Sequence, residues 1–294
     1  MSEYILKSGR AAAKVTSRGA ELASFIPSDG RERIWTGDPA VWSGHSPILF
    51  PVVGSLTDDK VLIEGKPYSM PKHGLIRKRE FSLGRHGEDF VEMTIDSDAD
   101  TLAAYPFEFT VHVIHSITEK GFETVFLVEN KSGRPMPMCI GGHPGFMCPV
   151  FEGGAFEGYR LKFECDEDGE NSLAPNGYII TGTERMACFH NTDTLALDHE
   201  LFDTHDALIL TNLKSRSVRL VHKDTGHGVK FDFPKFDALG VWSAPGKNAP
   251  YVCLEPWSGI PALANESGNF EDKPFVKWIP AGECYRTGFR ATLI

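Results

Sequence analysis

The stretch Phe107-Glu108-Phe109-Thr110-Val111-His112-Val113 alternates apolar and polar side chains at every position. A period of two places the apolar side chains on one face of an extended chain and the polar side chains on the other. Strands with one dry face and one wet face are typical of antiparallel sheets. Residues 91–95, 160–164 and 229–233 repeat the pattern, so we expect such strands along most of the chain.

Turn-forming residues separate these segments, whereas helix signals are few. Sequences such as Pro175-Asn176-Gly177 and Asp224-Thr225-Gly226 favour tight turns. The best helix candidate, Asp100–Tyr105, spans one or two turns before Pro106. All-β domains often reach about 200–250 residues. We therefore predict an all-β fold, a large and mostly antiparallel sandwich or barrel with few short helices, forming a single domain over residues 1–294.

Composition and charge argue against several classes of partner. The formal net charge is −10 and no basic stripe is interleaved with aromatic residues, which disfavours nucleic acid and anionic membranes. The six cysteines form no Cys-x-x-Cys pair. The N-terminal residues Met1–Tyr4 show neither the basic region nor the long apolar region expected of a signal peptide. No apolar run approaches the roughly 20 residues of a membrane helix. We expect a reduced, cytoplasmic protein with neither a nucleic-acid nor a membrane partner.

One stretch departs from the alternation and orients a histidine. In Gly141-Gly142-His143-Pro144-Gly145-Phe146, His143 stands between a glycine pair and a Pro-Gly turn. Glycine lets the backbone approach a ligand closely and proline fixes the exit direction, while an imidazole can carry a proton near neutral pH. The alternative interpretation is a tight turn whose imidazole only hydrogen-bonds a loop carbonyl.

A second departure contains a candidate carboxylate. Glu255 ends the apolar run that begins at Tyr251 and is followed at once by Pro256-Trp257. A carboxylate at the end of a buried strand needs a partner or a function, because isolated burial is costly. A salt bridge to an arginine would also satisfy it.

Two more stretches lie outside the alternation. Ser46–Ser55 brackets an apolar run with prolines, which indicates a buried, shaped connection rather than a central strand. Met70–Arg77 places His73 before a glycine and Arg77 four positions further on. By itself the second signal is weak, since a His-Gly turn explains it equally well.

Three hydrolytic or metal-dependent chemistries fit these residues poorly. A metal site of His73, His143 and Glu255 would lack the close histidine spacing of many β-barrel metal sites. A nucleophilic hydrolase would need a Gly-x-Ser-x-Gly elbow or a convincing Cys-His pair, and the sequence contains neither. A glycoside hydrolase needs a second carboxylate besides Glu255. The candidates for that carboxylate are Asp198, Asp203 and Asp206.

Two interpretations remain open. A carbohydrate-binding module would use Trp42 and Trp257 for stacking on a sugar, but it leaves the histidine and the glutamate without a task. Acid–base isomerisation uses both, since an imidazole acid and a carboxylate base are what reversible proton transfer at two oxygens requires. The anomeric centre of an aldose is such a substrate, and no cofactor is needed.

Four ordered motifs carry a resemblance to a known family. They are PILFPVVGSL at 47–56, PKHGLIR at 71–77, GGHPGF at 141–146 and CLEPWSG at 253–259. Together they resemble the aldose 1-epimerase (galactose mutarotase) family, and within it the LacX-like subgroup. The resemblance implies a β-supersandwich with a sugar cleft, and a cofactor-independent isomerase of small aldoses that acts as a monomer or homodimer.

The resemblance also implies a role for each site residue. Glu255 matches the general base that takes the proton from the C1 hydroxyl, and His143 matches the general acid that protonates the ring oxygen. His73 matches a second histidine that hydrogen-bonds the sugar. A sugar-binding aspartate is expected after the middle of the chain, where both Asp206 and Asp198 qualify.

One position departs from the family pattern. Ser55 stands where many relatives carry an arginine that contacts the sugar. Either Arg77 supplies that charge or the sugar is oriented differently. A hexose-6-phosphate 1-epimerase would need clustered arginines at the cleft mouth, which Arg77 and Arg79 only suggest. A non-catalytic sugar-binding or regulatory protein on the same fold is the other alternative.

Overall fold

The computed structural model describes the backbone of residues 1–294 and every side chain except that of Asn176. The described chain contains 24 strands and two short α-helices. The helices are α1 (Ala99–Ala104) and α2 (His199–His205). The strands are β1 (Glu3–Ser8), β2 (Ala11–Thr16), β3 (Leu22–Ile26), β4 (Ile48–Leu49), β5 (Lys60–Ile63), β6 (Lys66–Ser69), β7 (Ser82–His86), β8 (Phe90–Asp96), β9 (Phe109–Thr118), β10 (Gly121–Asn130), β11 (Met136–Met138), β12 (Ile140–Gly142), β13 (Gly145–Met147), β14 (Tyr159–Glu167), β15 (Glu170–Leu173), β16 (Gly182–Arg185), β17 (Thr192–Ala196), β18 (Ala207–Leu210), β19 (Ser217–His222), β20 (Gly228–Asp232), β21 (Ala238–Trp242), β22 (Tyr251–Ser258), β23 (Lys277–Ile279) and β24 (Cys284–Leu293).

Two large antiparallel sheets dominate the architecture. The nine-stranded sheet has the order β17-β14-β19-β20-β24-β10-β9-β8-β7, and the six-stranded sheet has the order β18-β21-β22-β12-β4, with β13 pairing to β22. Smaller sheets consist of β1-β2-β3, β5-β6, β11-β23 and β15-β16. The ladders between named strands are antiparallel. The prediction of a mostly antiparallel all-β fold is confirmed.

The alternating segments of the sequence all belong to the nine-stranded sheet, in β8, β9, β14 and β20. Along β9, buried and half-buried residues alternate from Phe109 to Ile117, as expected for one dry and one wet face. The helix expected at Asp100–Tyr105 is α1. Its N-cap is Asp98, whose side chain accepts a hydrogen bond from the backbone N–H of Thr101, so local chemistry sets its start.

The six-stranded sheet packs against the nine-stranded sheet through aromatic side chains. The ring of Phe146 on β13 lies 5.7 Å from that of Phe231 on β20 and 6.1 Å from that of Phe122 on β10. Gly142 on β12 faces Phe289 on β24 so closely that a Cβ there would lie 2.5 Å from Cε1 of the phenylalanine. The glycine therefore permits the close approach of the two sheets.

Strand β22 lies inside the six-stranded sheet, and all eight of its residues are buried. It pairs with β21 on one side and with β12 and β13 on the other. A strand covered on both faces shows no alternation, which is why its sequence reads as an apolar run. Glu255 was expected at the end of this strand. The strand instead continues to Ser258, so the carboxyl group is held in mid-strand.

Two loops beside this sheet are hydrogen-bonded to each other. The N–H of His73 donates to the carbonyl of Gly54 (2.8 Å), and the N–H of Leu75 donates to the carbonyl of Phe50 (2.7 Å). His73 and Gly74 both adopt left-handed backbone conformations, with φ of 67° and 78°. The buried connection expected at Ser46–Ser55 is thus locked to the loop that carries His73.

All six cysteines are free thiols. Within the described chain, neither helix has the length and apolar character that crossing a bilayer requires.

We expect Gly74→Ala to lower the free energy of unfolding by about 3 kcal/mol, because the new Cβ combines backbone strain with overlap. That Cβ would overlap the carbonyl oxygen of Phe50. Gly65 is a matched control: its φ of 73° is nearly the same, but no atom lies within 4 Å of the built Cβ. Gly65→Ala should cost only about 1 kcal/mol. Urea unfolding of both variants measures the difference, and equal losses would contradict the steric argument.

Candidate functional site

A cavity of about 370 Å³ opens beside β22. Its lining contains all five site residues expected from the sequence, which are His73, Arg77, His143, Asp206 and Glu255. The other lining residues are Trp42, Pro47, Leu49, Gly54, Lys72, Gly177, Ala207, Ile209, Trp242, Trp257 and Pro261. The structure therefore brings together residues that lie up to 182 positions apart in the chain (255 − 73). Their chemical roles remain predictions.

His143 is held by the backbone on both sides. It directly follows β12, and its N–H donates to the carbonyl of Pro47 (3.0 Å). The carbonyl of the next residue, Pro144, accepts a hydrogen bond from the N–H of Leu254 (3.2 Å). Gly141 has to be a glycine, because a Cβ there would lie 2.6 Å from Cδ1 of Trp257. The orientation expected for His143 from its flanking glycines thus has a packing basis.

Aromatic side chains enclose the imidazole of His143. The ring of Trp42 stacks on it with centroids 4.9 Å apart, and Trp242 contacts it edge-on at 5.7 Å. Because this burial disfavours the imidazolium, the pKa of His143 is lowered to about 3. Its Nδ1 atom is buried and has no hydrogen-bond partner among the described side chains.

The carboxyl group of Glu255 faces this imidazole. Oε2 of Glu255 lies 3.1 Å from Nε2 of His143, and Glu255 is only 2% exposed. The contact is close but poorly aligned, since Oε2 makes no hydrogen bond to any described group. Burial raises the pKa of Glu255 well above its ordinary value, while the charge of Lys72 opposes that shift and Asp206 adds to it. Burial thus favours the neutral form of both members of the pair.

His73 presents a defined tautomer to the cavity. Its Nδ1 accepts a hydrogen bond from the N–H of Gly54 (3.2 Å), so in the neutral ring the proton resides on Nε2. Burial lowers the pKa of His73 well below its ordinary value, and the neighbouring His143, Lys72 and Arg77 lower it further. The rings of His73 and His143 are 5.8 Å apart. His73 is consequently a hydrogen-bond donor rather than a source of charge.

Asp206 and Asp198 were the candidates for the sugar-binding position, and of these two only Asp206 lines the cavity. It stands between α2 and β18 with a φ of 61°, and its Oδ1 accepts a hydrogen bond from Nε1 of Trp242 (3.2 Å). Asp198 caps α2 by accepting from the N–H of Glu200 (2.8 Å). Asp203 accepts from the backbone N–H of Gly246 (2.6 Å).

Lys72 and Arg77 bring positive charge to the cavity wall. Among the described side chains, no carboxylate oxygen lies within 4.0 Å of either cation. Burial lowers the pKa of both, against the attraction of Asp206 and Glu255 for Lys72 and of Glu21 for Arg77. Neither cation therefore forms a direct ion pair with a described carboxylate.

The remaining expectations about charge concern Arg79 and Ser55. Arg79 forms surface ion pairs with Asp98 and Asp100, so it does not join Arg77 in the cavity. Ser55 is buried, and its hydroxyl donates to the carbonyl of Gly177 at 3.4 Å. The serine at this family arginine position thus supports the cavity wall.

Sequence reasoning missed Lys72, Trp242 and the thiol of Cys253. Lys72 adjoins His73 in the motif and could have been noticed there, whereas nothing local marks Trp242. Cys253 Sγ, a ring nitrogen of His143 and a carboxyl oxygen of Glu255 all lie within 4.8 Å of one another. These three residues, rather than the triad with His73, are the group of potential metal ligands that the described chain assembles.

Comparison with known proteins agrees with the geometry. A family model described as Aldose 1-epimerase matches residues 2–273. The plasmid-encoded protein LacX of Lactococcus lactis subsp. lactis is 36% identical over 288 residues, which is 94% of each chain.

Solved structures show the same fold. A galactose mutarotase related enzyme from Lactobacillus acidophilus has a TM-score of 0.92 and 27% identity, and the match covers 100% of this chain and 97% of that one. A galactose mutarotase-like protein from Lactobacillus casei has a TM-score of 0.92 and 28% identity, with 100% of both chains covered.

The buried carboxyl group makes stability depend on pH. An unfolded chain releases the Glu255 proton above pH 4.5 or so, its ordinary pKa, whereas the native state retains it because the pKa is raised. Native stability from this group is therefore lost as the pH rises above that value. Glu255→Gln removes this titration. The free energy of unfolding of the variant, relative to that of the wild type, should therefore rise with pH by up to about 1.4 kcal/mol per pH unit.

Urea unfolding between about pH 4 and about pH 8 measures this trend. Glu92 offers a control of opposite sign: a hydrogen bond from Arg85, then one from His112, lowers its pKa. Glu92→Gln should lose stability relative to the wild type above pH 4.5 and recover it in acid. Parallel pH profiles for Glu255→Gln and the wild type would refute the raised pKa.

Proposed function

The chain belongs to the aldose 1-epimerase family, and from that premise we propose that it interconverts the α and β anomers of a hexose without a cofactor. The observation that carries the proposal is the contact of 3.1 Å between His143 Nε2 and Glu255 Oε2, at the wall of a cavity large enough for a monosaccharide. One imidazole and one carboxyl group at this separation can exchange protons with the two oxygens of an anomeric carbon.

In the proposed mechanism, Glu255 is the general base and His143 is the general acid. Glu255 accepts the proton of the C1 hydroxyl while His143 donates a proton to the ring oxygen O5. The C1–O5 bond breaks and an open-chain aldehyde forms. After rotation about C1–C2, O5 attacks the other face of C1, and both protons return along the same paths. The net result is inversion at C1 with the enzyme unchanged.

The proposed cycle needs one proton on the pair. Burial lowers the pKa of His143 and raises that of Glu255, so it favours this proton on Glu255. Transfer of that proton between the two side chains yields the imidazolium and carboxylate that the first step needs. Sugar hydroxyls that hydrogen-bond the carboxylate replace the water it has lost and so favour this charged arrangement.

The other cavity residues suit sugar binding. His73 presents Nε2–H as a donor, because Gly54 already occupies Nδ1. Asp206 uses Oδ1 for Trp242, which leaves Oδ2 to accept from a sugar hydroxyl. The indole of Trp242, which contacts its aromatic neighbours edge-on or at a tilt, offers apolar surface for the C–H side of a pyranose ring. Arg77 supplies a positive charge in place of the family arginine.

We further propose a single domain acting as a monomer or homodimer in the cytoplasm. The scattered free thiols support a reducing compartment. One large cluster of buried hydrophobic residues extends from Leu6 to Ala291, which supports the single domain.

Removal of either catalytic group should abolish turnover. Polarimetry of freshly dissolved α-D-glucose and α-D-galactose, with and without EDTA, measures the rate. We expect His143→Asn and Glu255→Gln to lower it by about 10²–10⁴-fold each. Glu92→Gln, at another buried glutamate but outside the cavity, is the control and should retain full activity. If His143→Asn or Glu255→Gln kept most of the activity, the assignment of that residue as a catalytic group would be overturned. If the wild-type protein bound sugar without accelerating mutarotation, a carbohydrate-binding function would be favoured instead.

A second candidate function is the same reaction on a phosphorylated hexose. It is favoured by Lys72 and Arg77, which line the cavity with no carboxylate within 4.0 Å among the described side chains. Burial favours the neutral forms of His143, His73 and Glu255, whereas Lys72 and Arg77 bring two cations to the same cavity wall. An anionic substituent on the sugar would supply the missing counter-charge.

Charge removal distinguishes the two substrate classes. For glucose 6-phosphate, Lys72→Met and Arg77→Met should each raise KM by about 10–100-fold, the worth of a hydrogen bond to a charged group. For glucose, the same variants should change KM much less. Arg79→Met, at a surface arginine already paired with Asp98 and Asp100, is the control. Equal effects on both sugars would rule out the phosphate preference.

A further inference from the structure

The side chains of His143, Cys253 and Glu255 lie close together, and each offers a different kind of metal-ligand atom. Cys253 and Glu255 are two residues apart on β22, so their side chains lie on the same face of the strand. His143 follows β12, which pairs with β22. The thiol sulfur, a ring nitrogen and a carboxyl oxygen all lie within 4.8 Å of one another. The proposed mechanism uses two of them and leaves Cys253 without a task.

Two polar atoms of this cluster lack a partner. Oε2 of Glu255 and Nδ1 of His143 are buried and accept or donate no hydrogen bond among the described groups. Oε2 also points toward Nε2 of His143, 3.1 Å away. A buried polar atom without a partner costs free energy, and a metal ion bonded to Oε2 of Glu255 and to Nε2 of His143 would recover it at Oε2. Since His143 and Glu255 line the cavity, such a ligand can reach them from solvent.

The donor set selects the kind of ligand. One imidazole nitrogen, one sulfur and one carboxylate oxygen are ligands of Zn²⁺ and Cd²⁺, whereas Mg²⁺ and Ca²⁺ prefer oxygen alone. Ligands at tetrahedral zinc stand roughly 3.5 Å apart. The nitrogen and oxygen are already at 3.1 Å. The sulfur, within 4.8 Å, needs a movement on the order of 1 Å, which a side-chain rotation of Cys253 provides.

We propose that His143, Cys253 and Glu255 form a Zn²⁺ or Cd²⁺ site that switches off the acid–base pair. Binding forms one metal–nitrogen, one metal–sulfur and one metal–oxygen bond. It releases the thiol proton of Cys253 and the carboxyl proton of Glu255 to solvent. The fourth position faces the cavity and holds water. With both catalytic groups bound to metal, neither can exchange a proton with a sugar. Metal binding stands by itself, while the inhibition rests on the proposed epimerase function.

Cadmium binding is tested by ultraviolet spectroscopy, since a Cd²⁺–thiolate bond gives a charge-transfer band. The exposed thiols of Cys165, Cys188 and Cys284 are first replaced by serine in the full chain. In this background we expect one equivalent of Cd²⁺ to produce the band. Cys253→Ser should abolish it, and Cys139→Ser, at another buried thiol, should retain it. A band that survives in Cys253→Ser, or no band with one equivalent, would overturn the site.

Two measurements keep the result interpretable. Circular dichroism verifies that Cys253→Ser is folded, and if it is not, Cys253→Ala takes its place. In the triple-serine background, with Cys253 and Glu255 retained, His143→Asn should weaken Cd²⁺ binding by at least about tenfold, as loss of a ligand does. Unchanged affinity in His143→Asn would show that the thiol binds cadmium alone and would contradict the three-ligand site.

Inhibition is tested separately by polarimetry. Zn²⁺ should stop mutarotation in the triple-serine background, and EDTA should restore it. In the Cys253→Ser variant, the half-inhibitory Zn²⁺ concentration, relative to that variant's own metal-free rate, should rise by at least about tenfold. An unchanged half-inhibitory concentration would contradict the switch. Absence of mutarotation in every form would refute the epimerase function instead, while the cadmium band would still decide the metal site.

Discussion

The contact between His143 and Glu255 depends on the six-stranded sheet, whose packing offsets the free-energy cost of burying both side chains. An imidazole and a carboxyl group lie 3.1 Å apart in surroundings that remove water from both. The sheet holds Glu255 in mid-strand on β22 through ladders with β21 and β12, so the carboxyl group cannot turn away to solvent. Because hydrogen-bonded strands fix the backbone of Glu255 on both sides, the two side chains stay in contact although their burial is unfavourable.

The same burial explains the electrostatics of the whole cavity. Tryptophans around His143 lower its pKa to about 3, and the protein matrix raises that of Glu255. Groups that water does not stabilise respond strongly to a bound hydroxyl, phosphate or metal ion, because few competing interactions remain. The proposed proton transfer, the proposed preference for an anionic substituent and the proposed metal site would therefore all follow from one desolvated site.

Close packing between the two large sheets sets the position of this site. Gly141 accommodates Trp257 and Gly142 accommodates Phe289, so side chains from β22 and β24 pack directly against the backbone of β12. The chain leaves β12 with His143 already facing the cavity. On the opposite wall, the left-handed turn at His73 and Gly74 fits against Gly54 and Phe50. Glycines are needed at these positions for contact with neighbouring atoms, and the proposed catalysis would benefit from the resulting rigidity.

The fold class could be predicted from local sequence, because the period of two in β8, β9, β14 and β20 follows from one dry and one wet face. His143, Glu255, His73 and Arg77 could also be identified, since their neighbours carry a local signature. Which of them meet could not be predicted, because the order β4-β12-β22-β21-β18 joins segments far apart in the chain. It placed Asp206 in the cavity and Asp198 at a helix cap, and it brought in Lys72, Trp242 and Cys253. Strand order and burial decide which side chains reach the cavity. Both depend on contacts between residues far apart in the chain, so a short stretch of sequence does not reveal them.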